Sequence, residues 1–496
     1  MRHGFATKAP RGPATLGFLE ITAPGASARP AARAGDFDRT INREDSLMRS
    51  FCLSWRGLLS AALLSALAFL AAPAGAAGLE PKLVIVTSFP KDLYSVYARA
   101  FEKKHPGTKV EVLNKGTSAA IAYVRETASN PPDIFWASAP DAFEVLKAAG
   151  LLQKYEAKAG GIPAKVGAYP INDPDGFYKG FAASGYGIMW NTRYLKAKNL
   201  PEPREWDDLK KPVYHGHVAI SAPSRSGTTH LTIETILQGE GWEKGWRTVL
   251  EMAGNFASVT ERSFGVPEGV NNGQFGIGIV IDFFGFSSKA SGFPVEFAYP
   301  KVTTLVPANI GMIKSAKNPR AAGAFIDFLL SPGGQELLLD PKIQRLPVLP
   351  SAYEKAKGLP NPFKDASIGA AVKFDTRVSR SRYLVVNAMF DQVITFRLKE
   401  LTAAWKAIHD AEAKLKGKAD AQAIALLGRA KELAGSVPVS AKQAADKEFL
   451  SIFRPRKKGQ APPKRQAEIE AEWDAFARRN YAEAQKLARQ AVSMMR

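Results

Sequence analysis

The 496-residue sequence has a single cysteine, Cys52. Disulfide frameworks and Cys-based zinc sites are therefore excluded, and thiol chemistry with them once the signal segment described below, which carries Cys52, is cleaved. It also lacks the short motifs that announce chemistry: there is no P-loop, no HExxH and no G-x-S-x-G elbow. His215 and His217 stand two apart on an extended stretch, but no third ligand follows at metal-binding spacing, so a surface turn is the expectation. Neither zinc-finger spacing nor an aromatic-basic RNP pattern is present, which removes the common nucleic-acid modules. No repeat at solenoid spacing occurs. Acidic residues are in deficit, 47 Asp+Glu against 67 Lys+Arg, giving a formal net charge of +20. That surplus suits anionic solutes or surfaces without choosing among them.

Only one long apolar run exists. In "MRSFCLSWRGLLSAALLSALAFLAAPAGAAG" a basic start (Arg49, Arg56) precedes an apolar stretch over residues 58–70 and a small-residue Ala74-Gly75-Ala76 site. This is the layout of a secretory signal at 48–76 with cleavage before Ala77. The stretch is short for a membrane span of about 20 residues, an uncleaved anchor being the other reading. Residues 1–47 carry no periodicity and are expected to be a start-codon extension; the body is exported to the periplasm.

The rest is globular in composition, with 46% hydrophobic and 23% charged residues. "KLVIVTSFP" predicts a strand and "KDLYSVYARAFEKKHPG" a helix, with Leu93, Val96, Tyr97, Ala100 and Phe101 on one face. "TKVEVLN" and "PPDIFWAS" are further strands around the helix of "KGTSAAIAYVRE". Strand–helix alternation of this kind means a parallel α/β sheet. "GFYKGFAASGYGIMWN" reads as two extended stretches, "EWDDLKKPVYHG" as a polar helix, and "HVAISAPSRSGTTHLTIETILQ" as strand, loop and helix. Strands are also expected in "NNGQFGIGIVIDFFGF", "FPVEFAYP" and "TTLVPANIGMIK", then two short helices divided at Ser-Pro-Gly-Gly. Beyond about residue 360 the pattern turns helical. Phe390, Ile394, Leu398, Leu401, Trp405 and Ile408 predict one long amphipathic helix over 382–415. A second follows over 420–433, and a last one contains Ile469, Trp473, Phe476 and Tyr481. The apolar stripe of this appendage is expected to pack on its own lobe.

"SAPSRSGTTH" gathers small hydroxyl residues, a glycine and an arginine ahead of a helix. Such a loop offers backbone N–H groups, side-chain donors and the helix dipole to an oxyanion. Ser and Thr are equally ordinary helix caps, and the residues alone leave cap and cradle open. Ser224, Arg225, Ser226, Gly227, Thr228 and Thr229 are the candidate ligands here. Ser88, the Thr117–Ser118 pair and the Trp136/Ser138 pair follow other predicted strands, where α/β sheets bind their ligands. Trp136 has core packing as its competing role. Asp282 is read as accepting from an ammonium or hydroxyl on the solute or repelling a wrong anion, or else as an ordinary solvent-facing or paired carboxylate.

Taken in order, "SFPKDLYSVYARAFEKKHPGTKVEV", "PPDIFWAS", "GYGIMWN", "SAPSRSGTT", "NNGQFGIGIVIDFF", "FAYP" and "NPRAAGAFIDFLLSPGGQELL" resemble the periplasmic solute-binding proteins of ABC importers, over about residues 82–353. The likeness is to the group of ferric-ion, thiamine and phosphonate- or phosphoglycerate-linked receptors. It implies a type 2 fold of two α/β lobes joined by crossover strands, plus the helical extension. The lobes are placed at 77–185, 186–282 and a return at 283–360, with the extension at 361–496. It implies capture of a solute for an inner-membrane permease by a monomer, with no enzymatic step, cofactor, metal or nucleic acid. Ferric-binding relatives hold an accessory anion at the "SRSGTT" position and carry paired tyrosines where this chain has Phe283-Phe284. A phenyl ring supplies no hard oxygen ligand, so the expected solute is a small organophosphate, phosphonate or related anion. The alternatives are a ferric receptor with other ligands, a sensory module signalling to a membrane kinase through the tail, and an exported enzyme.

Overall fold

The structure is a computed structural model that describes residues 78–365, 368–369, 371–416, 420–454 and 460–494. The expected extension at 1–47 and signal at 48–76 lie outside the described residues.

The first lobe opens as β1 (Lys82–Thr87), α1 (Lys91–Lys104), β2 (Lys109–Asn114), α2 (Thr117–Glu126), β3 (Ile134–Ala137) and α3 (Pro140–Ala148). Leu93, Tyr97 and Phe101 bury the inner face of α1, as their spacing requires. β1 lies between β2 and β3 and runs parallel to both. The three carboxyl ends therefore point to one edge.

β4 (Lys179–Asn191) is a single 13-residue strand rather than two stretches. The glycines that suggest breaks are instead points of close approach: a Cβ on Gly187 would meet the Ala298 carbonyl oxygen at 2.2 Å. β4 continues into the second lobe, which contains β5 (Val218–Ser221), α4 (Gly227–Glu240), β6 (Phe256–Thr260), β7 (Ile277–Ile281), α5 (Asp282–Ala290) and β8 (Val295–Ala298). β9 (Leu305–Ile313) then returns to the first. Residues 179–185 of β4 pair with β9, and residues 186–190 pair with β7. β4 is thus the crossover shared by both lobes, and the strand order is β2-β1-β3-β9-β4-β7-β5-β6. The segment after Phe283 stays with the second lobe, because β8 pairs with residues 188–191. The chain goes back near residue 305, not at 283. The stretch read as a polar helix is two 3-10 turns, Trp206–Lys210 and Pro212–Tyr214, pinned by buried Trp206, Leu209 and Tyr214.

The tail consists mainly of α6 (Thr376–Phe390), α7 (Leu398–Leu415), α8 (Ala421–Ala434) and α9 (Lys464–Ser493). A π-helical turn at Asp391–Thr395 divides what the spacing predicts as one helix. The apolar stripe does pack on a lobe. Val385, Val386, Met389, Phe390, Leu401, Trp405 and Ile408 share one core with Trp190, Val218, Ile233 and Trp246 of the second lobe. Trp405 fits because residue 254 is glycine, where any Cβ would stand 2.5 Å from the Trp405 Cβ. Each such large side chain, once buried, contributes roughly 1.5–3 kcal/mol. The tail is continuous with the second lobe's interior rather than appended to it.

Candidate functional site

Six loops meet between the lobes, each at the carboxyl end of a parallel strand. From the first lobe come Ser88–Pro90 after β1, Gly116–Thr117 after β2 and Ser138 after β3. From the second come residues 225–228 after β5, Arg262–Ser263 after β6 and Phe283–Phe284 after β7. The lobes are closed upon one another, leaving about 20 Å³ between these loops, room for about one water. Contacts cross the cleft directly. Gly227 N–H donates to Thr117 Oγ1 at 3.2 Å, and the Ser138 and Thr228 hydroxyls lie 3.3 Å apart. Arg262 reaches Asn114 Oδ1 at 3.4 Å. Among the described residues lining this space, two are arginines and none is a carboxylate.

Ser88, Thr117, Ser138, Arg225, Ser226, Gly227, Thr228 and Phe283 therefore converge as their positions after strands predict. Ser226 is also a cap, its Oγ accepting from Thr229 N–H at 3.2 Å, so cap and cleft wall are one residue. Phe89, Pro90, Gly116, Arg262 and Ser263 line the space without having been singled out, and Phe284 joins Phe283 there. Arg262 follows β6 in "SVTERSFG", where only the rule that strand ends carry ligands pointed to it.

Five candidates sit elsewhere. Trp136 is fully buried at the first lobe's centre, its ring edge-on to Phe89, Tyr97 and Phe325 at 5.3, 5.5 and 5.7 Å. Ser118 faces outward from the cleft and meets the Tyr383 hydroxyl at 3.2 Å. Ser224 lies beside Asp391 of the tail. The Thr229 hydroxyl bonds to that of Ser221 within the second lobe. Asp282 is buried behind the phenyl pair, accepting from Gly185 N–H at 2.7 Å, Phe283 N–H at 2.7 Å and Tyr299 O–H at 2.8 Å. Burial pushes its carboxyl up to about 6 against those hydrogen bonds and the charge of Arg345. It is the paired carboxylate of the two readings. His215 and His217 bond separately, to the Gly254 carbonyl at 3.1 Å and the Tyr194 hydroxyl at 2.8 Å.

Residues 129–371 match the family described as bacterial extracellular solute-binding protein. The phosphoglycerate transport regulatory protein PgtC of Salmonella typhimurium is 30% identical over 378 residues, 75% of this chain and 89% of that protein. The chain belongs to the extracellular solute-binding proteins. Its fold is that of the type 2 periplasmic binding proteins. The Actinobacillus pleuropneumoniae protein AfuA, solved with fructose-6-phosphate, superposes with a TM-score of 0.55 at 22% identity, covering 65% of this chain and 97% of AfuA. Iron-bound HitA from Pseudomonas aeruginosa gives 0.52 at 19% identity, covering 62% and 98%. This solute-binding protein is of the periplasmic class that serves ABC-type import, a class whose partners are a small molecule and a membrane permease. Its family and structural neighbours are binding proteins, not enzymes.

Proposed function

We propose that this receptor captures a small phosphorylated anion, of the size and charge of a phosphoglycerate, and presents it to an ABC permease. The observation that carries the reading is the cleft lining: Arg225 and Arg262 with the Ser88, Thr117, Ser138, Ser226, Thr228 and Ser263 hydroxyls, and no carboxylate among the described lining residues. Hydroxyl and N–H donors satisfy an oxyanion's lone pairs, and guanidinium groups add bidentate charge-assisted bonds. The α4 N-terminus lies at the same place, with its dipole favouring negative charge. The Phe283 and Phe284 rings lie 4.2 Å apart, tilted by 36°, where a ferric receptor would need oxygen ligands. The relative named for phosphoglycerate transport regulation supports the same solute class.

Titration calorimetry with 3-phosphoglycerate, inorganic phosphate, a phosphonate and ferric citrate tests the proposal. Binding of an organophosphate that weakens at least about tenfold in Arg262→Ala is expected, since a hydrogen bond to a charged group contributes about 1.5–3 kcal/mol. Heat from ferric citrate alone would overturn it. A second reading, regulation rather than delivery, draws on the relative's printed name and on the tail sharing the second lobe's core. Deleting the permease genes separates the two: a regulator still signals when uptake has stopped.

A further inference from the structure

The tail helix α6 is bonded to both lobes, and by different means on its two sides. Its apolar residues Val385, Val386, Met389 and Phe390 lie in the second lobe's core. On that side Arg382 also grips Glu234 through two bonds of 2.8 Å. Toward the first lobe it presents hydrogen-bonding groups: Ser379 Oγ donates to Asp141 at 2.9 Å, Tyr383 meets Ser118 at 3.2 Å, and Arg380 pairs with Glu144 at 3.5 Å. At the junction sits His230 of α4, with none of its surface exposed. Its Nε2 is 3.1 Å from Asp141 Oδ2 and 3.0 Å from Ser379 Oγ, and its Nδ1 is 2.8 Å from Asn387 Oδ1. The Tyr383 ring covers it at 4.2 Å. The Asp141–His230 contact is itself lobe to lobe, and Asp141 stands three residues from cleft-lining Ser138.

We propose that α6 is a strap across the closed lobes, and that Ser379, Tyr383 and Asn387 are positioning residues for solute capture. They touch no solute. They stabilise the closed arrangement by bonding the first lobe and by holding His230 against Asp141. The division of contacts fixes which side lets go. A shared apolar core keeps α6 on the second lobe, whereas the bonds to the first lobe can be exchanged for water when the lobes part. The closed space has room for about one water, so a solute enters only when the lobes part, and the bonds that hold them shut set its affinity from outside the cleft.

The strap is also sensitive to protons. Burial alone would lower the His230 pKa, but the hydrogen bond and charge of Asp141, the charge of Glu234 and the bond to Asn387 raise it. The other groups around it are the Tyr383 hydroxyl and Arg382, the latter engaged with Glu234. Parting the lobes removes Asp141, whose bond and charge are the largest of the raising causes, and so lowers the affinity for the proton. Closure is therefore favoured in full below the ordinary histidine value of about 6.5 and is lost as pH rises through the raised one.

The test needs no solute, so it stands apart from the identity of the anion. In a Cys52→Ser background, spin labels at Lys91→Cys and Glu268→Cys, on exposed residues of opposite lobes at the cleft mouth, report the lobe separation. At pH 6 the parent should show a short-distance population that S379A/Y383F depletes, lowering the closed-to-open ratio about tenfold. Raising the parent to pH 8.5 should move its distances the same way, with little further change in the variant. Should the double variant fail to fold, Tyr383→Phe alone, which removes one oxygen, should lower the ratio about threefold. Identical distance distributions for parent and variants at both pH values would overturn the strap.

Discussion

Gly116→Ala tests whether the lobes must close to bind. Gly116 has φ −59° and ψ 151°, a conformation any L-residue adopts, so alanine introduces no backbone strain. Its Cβ, however, would stand 2.7 Å from the carbonyl oxygen of Arg225, on the opposite lobe. A close carbon–oxygen contact needs about 3.3 Å, so the lobes must stay apart by several tenths of an ångström or bend a rigid loop. Overfilling a packed contact costs about 1–3 kcal/mol, which is about 5- to 150-fold in affinity where the solute-bound arrangement keeps this contact. The cost falls on the closed arrangement alone, since neither lobe needs the other to fold around this point. Calorimetry with the strongest-binding anion should show that loss, while the melting temperature without solute should stay within about 2 °C of the parent. Parent-like affinity would show that the anion is held without this closure. A large fall in solute-free melting temperature would place the Gly116–Arg225 contact within the folding core instead.

Two further perturbations probe buried charges. Asp282 has its carboxyl raised to about 6 by burial, from about 4 when unfolded. The native state then binds more proton than the unfolded state between those values, so this group's contribution is present below about pH 4 and lost as pH rises through about 6, by about 3 kcal/mol. Asp282→Asn should flatten that part of the urea-midpoint profile between pH 4 and 7, and an unchanged slope would refute the assignment. Arg382→Met leaves Glu234, which has no exposed surface, without its guanidinium partner and should cost about 3–5 kcal/mol in urea unfolding. The double variant E234Q/R382M should recover part of it, and a loss under about 1 kcal/mol in the single variant would show the pair to be water-accessible.

The sequence displays those features of the fold that repeat locally. The first lobe is legible because apolar runs alternate with a helix whose buried residues are Leu93, Tyr97 and Phe101. The crossover strand is misread as two pieces because a glycine selected for close packing looks like one selected for a turn: Gly187 makes room for Ala298 and breaks nothing. The tail's single long helix fails for the opposite reason. Phe390, Ile394, Leu401 and Trp405 keep their spacing through the π-helical turn at Asp391–Thr395, so periodicity passes over the kink. For the cleft, strand-end position locates the loops, but which side chain turns inward depends on the partner lobe. Ser118 and Thr117 are neighbours; one faces the tail and the other the cleft. Trp136 and Ser138 point to the same face of β3 by alternation, yet the strand's end releases only Ser138 from the core.

Asp282 and Arg345 show how the hinge side supports this cleft without entering it. Arg345 has no exposed surface and lies against the rings of Phe89, Phe181 and Phe283 at 4.9, 5.6 and 4.4 Å. Burial holds its guanidinium down to about 10, against the opposing charge of Asp282. Phe89 and Phe283 are cleft walls from opposite lobes, so one cation behind them fixes both faces. Asp282 ties the same region to the crossover strand through Gly185 N–H. The two lobes are thus coupled at the hinge by a buried cation and carboxylate, and along the cleft flank by α6. A receptor held at both places has its closed geometry specified by the protein as well as by the solute. Under the proposed function, hydroxyl-rich loops with two arginines then need supply only the selection of the anion.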